Sequence, residues 1–204
     1  MRNSFEIAYL KSIAGAVVKP RIPVTPYIPN HRMAPARRLE VLSAWDGIQD
    51  ILSDIIERFQ LNTDRCLEFG VEYGFSTVAL SSYFNSVIGV DIFCGDKHTN
   101  NKNNIYEETV ARLSPYSNIE LIRCDYRNYI ISNHGMYDLI HVDIVHTFAD
   151  TYACGLWSAH HSQCTLFHDT TSFPQVNRAV VEIARTTRKT YYNFRESNGL
   201  GILI

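Results

Sequence analysis

The sequence predicts an α/β fold: a Rossmann-like doubly wound sheet, mostly parallel, with an antiparallel C-terminal hairpin strand and flanking helices. Three observations predict it. A short apolar run, C-L-E-F (66–69), meets two glycines, Gly70 and Gly74, and then a helix-start signal at Ser76 and Thr77. From residue 64 onward short apolar runs alternate with segments of helical period, the pattern of a parallel sheet covered on both faces. The tail breaks that alternation. Residues 189–194 and 200–204 read as two strands joined by Arg195-Glu-Ser-Asn-Gly199, so one strand runs antiparallel.

Taken in order, the chain begins with an apolar stretch, 7–18, interrupted by Lys11. The lysine and the cysteine usage argue against a signal peptide, and the stretch reads as a short helix. Five of the seven prolines follow at Pro20, Pro23, Pro26, Pro29 and Pro35. Each fixes φ and lacks a donor, so an extended connector outside the sheet is expected. Leu39, Leu42, Trp45, Ile48, Leu52, Ile55, Ile56 and Phe59 then recur at three- and four-residue steps. That period predicts one long amphipathic helix packed across the sheet. Strands are expected near 65–69, 86–91, 119–123, 137–142 and 164–168, and helices near 76–83, 104–113, 148–160 and 176–185. The chain divides into a basic, Pro-rich arm over 1–35 and one domain over 36–204.

Composition narrows the function. A chain of 204 residues with 46% hydrophobic content fills one core. A net charge of −2 makes no general case for nucleic acid. No apolar run approaches the roughly 20 residues that span a membrane. Charge is uneven, however: residues 1–40 hold seven Lys/Arg against two Glu, net +5, leaving −7 for the remainder. A basic arm on an acidic body suggests docking on a neighbouring subunit and hence a homo-oligomer. Cys66, Cys94, Cys124, Cys154 and Cys164 are odd in number and form no C-x-x-C pair, as expected of reduced thiols in a cytoplasmic protein.

The glycine loop bears on the cofactor. Gly70 and Gly74 let the backbone pass close to a ligand, and the free N–H groups of the helix after them face the same place. About 20 residues on, the second strand ends at Asp91, where an acidic side chain in dinucleotide-type folds accepts hydrogen bonds from ribose hydroxyls. Ile92 and Phe93 follow, suited either to cover an adenine face or to join the core. Asp125 ends the third strand, to meet the adenine amino group or to cap the next helix. A nicotinamide fingerprint G-x-G-x-x-G counted from Gly70 would need glycine where this chain has Glu72 and Phe75. A carboxylate and a bulky ring oppose a diphosphate there. S-adenosylmethionine (SAM) has no phosphate, and carries a sulfonium and an ammonium that Glu68 or Glu72 can complement.

The chain resembles the class I SAM-dependent methyltransferases, and within them the small-molecule O-methyltransferases of the catechol, macrolide-sugar and cephamycin-pathway types. The likeness covers about residues 64–204 and rests on E-F-G-V-E-Y-G-F-S-T (68–77), V-I-G-V-D (87–91), Y-D-L-I-H-V-D-I-V-H (137–146) and F-H-D-T (167–170). The resemblance implies that Glu68 and Gly70 hold the methionine ammonium end, Ser76 the methionine carboxylate and Asp91 the ribose, with Gly74 completing the loop.

Chemistry is then expected where the fourth and fifth strands end. Asp143 and Asp169 emerge side by side at the carboxyl edge, as oxygen ligands suited to Mg²⁺ or as turn and cap residues. His146, three residues past Asp143, has the pKa range of a general base. The same spacing separates the first metal-binding Asp from a basic Lys or His in the catechol-like and macrolide-sugar enzymes. Where catechol-like members have Asp-Asn this chain has Asp169-Thr170, and where the macrolide type has Glu-Asp it has His168-Asp169. Thr170 or His168 is therefore a further candidate ligand. His141 is expected to be buried, and His160 and His161 to end a helix. The implied activity is methyl transfer from SAM to a hydroxyl of a small molecule, a sugar or natural-product intermediate, with the arm folding over the acceptor pocket or exchanging between subunits. The rivals are an NAD-dependent oxidoreductase and a non-catalytic SAM-binding module.

Overall fold

The computed structural model describes residues 22–95 and 103–204. The helix expected over 7–18, and with it the first half of the arm, lies outside the described residues. The remaining elements build one eight-stranded sheet. Its strands are β1 (Val24–Pro26), β2 (Arg65–Phe69), β3 (Ser86–Asp91), β4 (Ile119–Arg123), β5 (Tyr137–Val142), β6 (Ser162–His168), β7 (Tyr191–Phe194) and β8 (Leu200–Leu203). They lie in the order β1-β7-β8-β6-β5-β2-β3-β4. Only β8 runs antiparallel to its neighbours β6 and β7, as the tail of the sequence implied.

Alternation along each strand divides the core into two layers. Cys66 and Leu139 face α1 (Leu52–Phe59) and α2 (Phe75–Leu80), in a cluster with Ile51, Leu52, Ile55 and Leu80. Leu67, Phe69, Ile140 and Val142 face the opposite way. They meet α4 (Tyr126–Ser132), α5 (Phe148–His161) and α6 (Pro174–Thr187) through Tyr129, Cys154 and Ile183. Each such side chain contributes roughly 1.5–3 kcal/mol by leaving water. A smaller cluster of Val71, Phe93 and Ile105 lies against α3 (Tyr106–Leu113). All five cysteines are free thiols. No helix among the described residues is long and apolar enough to cross a membrane.

Three elements differ from the sequence reading. The proline-rich stretch does join the sheet: β1 pairs in parallel with β7, Val24 beside Tyr191 and Pro26 beside Asn193. An outermost strand is where a residue without an N–H is tolerated, because only one side needs partners. Tyr27 extends the docking by donating its N–H to the Asn193 carbonyl at 2.9 Å.

The long helix expected from Leu39 to Phe59 is shorter. A 3₁₀ turn (Gln49–Ile51) leads into α1, and residues 42–47 form a loop. Gly47 sits at φ 94, outside helical geometry, and its N–H is taken by the Gln49 side chain at 2.8 Å. Trp45 and Ile48 still reach the core from this loop, but Leu42 is 99% exposed, so the apolar period overstated the helix by its first half. The third difference is α4, which is missing from the expected helix ranges although the capping reading of Asp125 implied it; the Asp125 carboxylate accepts from the Arg127 N–H at 2.8 Å.

Candidate active site

Strand β2 is flanked by β3 and β5, so the chain leaves it first to one side and returns on the other. Such a switch point opens a crevice at the carboxyl ends of the strands. Here it holds a cavity of about 980 Å³. Among the described residues six carboxylates (Glu72, Asp91, Asp125, Asp143, Asp150 and Asp169) line it against the Arg127 guanidinium and the imidazoles of His146 and His168. That balance favours a cationic ligand and opposes a diphosphate.

The β2 loop is held against the strand beside it. Gly70 has φ 91, and a Cβ there would stand 1.7 Å from the carbonyl oxygen of Asp143. Only glycine lets the loop and the end of β5 lie this close. Asp91 closes the other side: Oδ2 accepts from the N–H groups of Val71 and Glu72 at 2.8 and 2.9 Å, and Oδ1 from Phe93 at 2.7 Å. Ile92 lines the cavity and is 42% exposed; Phe93 lines it too while packing in the core against Tyr106. Asp125 both lines the cavity and caps α4, so its two sequence readings coexist.

Other expected positions are placed differently. Ser76 lines the cavity, but α2 is capped by Gly74 at φ 89 and uses no side-chain cap from Ser76 or Thr77. Gly74 is not among the lining residues, and the Leu113 side chain stands 2.5 Å from where its Cβ would be. Glu68 is fully buried beneath the loop, bonded to the Thr77 hydroxyl and to Nδ1 of His141 at 2.8 Å. It does not reach the cavity where the methionine end was expected.

At the far end the two strand-end aspartates do converge. The Asp143 N–H bonds the Phe69 carbonyl at 2.8 Å, continuing the β2–β5 ladder. Asp169 takes φ 63, a left-handed conformation that Asp tolerates better than most, directly after β6. Nε2 of His146 lies 2.9 Å from Asp169 Oδ2 and 3.5 Å from Asp143 Oδ1. Phe173 stacks on its ring with centroids 4.2 Å apart, fixing the imidazole plane. Nδ1 of His168 lies 3.0 Å from Asp143 Oδ2, and its Nε2 bonds the Ser197 carbonyl at 3.2 Å.

Electrostatics follow from that geometry. Burial alone would raise the Asp143 carboxyl, but the charge of His168 and hydrogen bonds to His146 and His168 hold it well below the carboxylate range. Burial pulls His146 down, yet its hydrogen bonds to Asp143 and Asp169, and their charges, lift it to about 9. His168 is likewise raised, burial being outweighed by the Asp143 charge. Two carboxylates and two imidazoles thus form one hydrogen-bonded cluster.

Asp143, His146 and Asp169 each offer an atom within 4.8 Å of the others, a spacing open to a metal ion. Thr170, expected as a ligand, is turned away and donates its hydroxyl to Asn193 Oδ1 at 2.7 Å. Both nitrogens of His168 are engaged as described. His146, expected as the base, stands where the third ligand was expected. Trp45, Arg127 and Asp150 line the cavity too, but no spacing in the sequence signals them. They come from a loop and two helix starts that only the sheet order brings together.

Fold and cavity together define a class I SAM-dependent methyltransferase. A family model described as a methyltransferase domain matches residues 67–170, just over half of the chain, and the protein belongs to that family. Its fold is similar to an O-methyltransferase from Bacillus cereus solved with S-adenosylhomocysteine, at TM-score 0.53 and 13% identity over 100% of this chain and 92% of that one. The O-methyltransferase TomG from Streptomyces achromogenes, solved with SAM, gives 0.56 and 13%, covering 80% and 81%. Fibrillarin from Aeropyrum pernix, with natively bound SAM, gives 0.56 and 12%, covering 90% and 99%. At these identities the likeness speaks for the fold. No curated protein matches the chain.

Proposed function

We propose that the protein is an O-methyltransferase that methylates a hydroxyl of a small molecule, a sugar or natural-product intermediate, with help from a divalent cation such as Mg²⁺. One observation carries this reading. A single cavity joins an acidic, partly apolar end at Asp91, Ile92 and Asp125 to a carboxylate–imidazole cluster at Asp143, His146 and Asp169.

The residues fit both groups. SAM would lie along Gly70, Ser76, Asp91, Ile92 and Asp125, with Glu72 in place of Glu68 as the carboxylate nearest its positive end. When bound it supplies a methyl group activated by the sulfonium. The cation would be held by Asp143 and Asp169, where it supplies charge that lowers the pKa of a hydroxyl. His146 would take the hydroxyl proton at Nε2 once that nitrogen has given up the proton it shares with Asp143 and Asp169. That nitrogen already faces both carboxylates, so its readiness to act as a base depends on how far their charge is neutralised. Phe173 holds the ring in one plane and so limits the directions from which an acceptor hydroxyl can approach.

The test is calorimetric titration with S-adenosylhomocysteine and with NAD, followed by methyl transfer from SAM to a panel of sugars and phenols with and without Mg²⁺. Saturation by S-adenosylhomocysteine and Mg²⁺-stimulated transfer are expected. His146→Ala should lower kcat by about 10²–10⁴-fold, and Asp143→Ala should remove the response to Mg²⁺. Saturation by NAD and not by S-adenosylhomocysteine would overturn the reading. Tight cofactor binding with wild-type transfer in both variants would show that these residues do not carry the chemistry.

A further inference from the structure

Beneath the cavity floor runs a buried polar chain that the methyl-transfer chemistry does not use. In the parallel ladder Glu68 of β2 pairs with His141 of β5, so both side chains emerge side by side on the face that carries α1 and α2. Both are fully buried. Nε1 of Trp45 donates to Nε2 of His141 at 3.2 Å, and the two rings meet edge to face with centroids 5.0 Å apart. An indole nitrogen can only donate, so Nε2 of His141 accepts and the ring proton sits on Nδ1. Nδ1 faces Glu68 Oε1 at 2.8 Å, and the Thr77 hydroxyl donates to the other oxygen. Every donor in the chain points toward the Glu68 carboxylate.

The far end of this chain is part of the cavity. Residues 42–45 line it, and Leu42 stands fully exposed at its rim. The loop is fixed at two points. The indole of Trp45 is held from below as described, and beyond it the Ser197 hydroxyl donates to the Asp46 carbonyl. The same Ser197 accepts from His168, which places the loop at the end of the cavity that holds Asp143 and Asp169.

We propose that Glu68 is a positioning residue. Through His141 it holds Trp45, and with it the 42–47 loop, as the wall of the acceptor end of the cavity, and it does not bind the methionine end of the cofactor. This rests on the reading that the cavity takes SAM and a hydroxylated acceptor, but its test needs no acceptor. A carboxamide at position 68 presents an NH₂ to one of two donors, and phenylalanine at 45 removes the indole donor while keeping a ring. Either change should loosen the same loop.

The experiment compares Glu68→Gln, Trp45→Phe and the double variant by amide hydrogen exchange in the peptide spanning 42–48 and by calorimetric titration with S-adenosylhomocysteine. The Asp46 and Ile48 amides, bonded to the Ser43 and Trp45 carbonyls in the wild type, are the reporters. Exchange should rise about tenfold or more in each single variant and no further in the double, the signature of residues acting in one chain. Affinity for S-adenosylhomocysteine should stay within about threefold of wild type in Glu68→Gln. A tenfold or greater loss of that affinity in Glu68→Gln, with Trp45→Phe unaffected, would make Glu68 a cofactor ligand and overturn the proposal. Unchanged exchange over 42–48 would also overturn it. Should Glu68→Gln fail to fold, Trp45→Phe decides alone: faster exchange supports the chain, and wild-type exchange refutes it. Failure of S-adenosylhomocysteine to bind the wild type would instead refute the cofactor reading, leaving the exchange result to be judged separately.

Discussion

At Nε2 of His146 two carboxylates hold one proton, and this sets a pH dependence. The folded-state pKa, about 9, stands above the ordinary value near 6.5. A group raised on folding stabilises the native state fully below its unfolded pKa, and that contribution is lost as pH rises through the folded value. In chelator-treated protein the loss should fall between about pH 6.5 and 9 and amount to on the order of 3 kcal/mol. Thermal melts across that window should decline in the wild type and decline less in His146→Asn, where only His168 remains raised. A wild-type profile without the decline would mean that the imidazole is not held by Asp143 and Asp169 as the distances imply. Much of this cluster was legible in the sequence, because Asp143, His146 and Asp169 lie at strand ends that the apolar runs locate. Its roles were not. Whether His146 faces the carboxylates, and whether Thr170 faces them too, depends on side-chain directions at a turn where Asp169 adopts a left-handed conformation.

Individual elements carry two further expectations. The β2 loop and the end of β5 touch at Gly70, so Gly70→Ala must displace one of them: the Cβ meets backbone at 1.7 Å and the residue lies at φ 91. Left-handed strain alone costs about 1–3 kcal/mol, and the collision adds to it. Denaturant melts should show a loss of about 3 kcal/mol or more, or no folded protein. A wild-type midpoint would refute the close approach.

The docking of β1 is the other case. The buried Asp54 carboxylate on α1 accepts from the Tyr27 hydroxyl and, at 2.9 Å, from the Asn30 N–H, and Arg58 lies 3.1 Å away. Burial raises the Asp54 carboxyl, but the bonds from Tyr27 and Asn30 and the Arg58 charge bring it below its ordinary value. A group lowered on folding stabilises above its unfolded pKa, near 3.9, and the contribution is lost as pH falls through the folded value. Hydrogen-exchange protection of the Tyr27 amide should therefore fall as the pH drops below about 4. Tyr27→Phe, which leaves Asp54 short of a donor, should cost about 1–3 kcal/mol. Local pattern could not show this anchoring, since a proline-rich stretch looks alike whether it docks on a sheet edge or not.

For the whole molecule, the arrangement that matters is the strand order. It brings the ends of β2, β3, β5 and β6 to one edge, and with them groups up to a hundred residues apart in sequence: Gly70, Asp91, Asp143 and Asp169. A ligand seated there binds only the native state. S-adenosylhomocysteine at 100 times its dissociation constant should therefore stabilise the protein by about 2.7 kcal/mol, read as an upward shift of the melting temperature, while NAD at equal concentration leaves it unchanged. A shift with NAD alone would contradict the acidic lining of the cavity as the basis of cofactor choice.

The sequence by itself determined the fold class, the positions of β2 to β8 and the class of cofactor. These follow from local apolar periods, from glycines that must take special conformations and from Glu72 and Phe75, which stand where a dinucleotide fold needs glycine. Tertiary structure alone decided which side chains share a face. It set Glu68 opposite His141 in the ladder and away from the cavity, turned Thr170 to Asn193 and laid β1 on the sheet edge. The physical reason is that periodicity states which residues are buried, whereas register and crossover decide what each buried group meets.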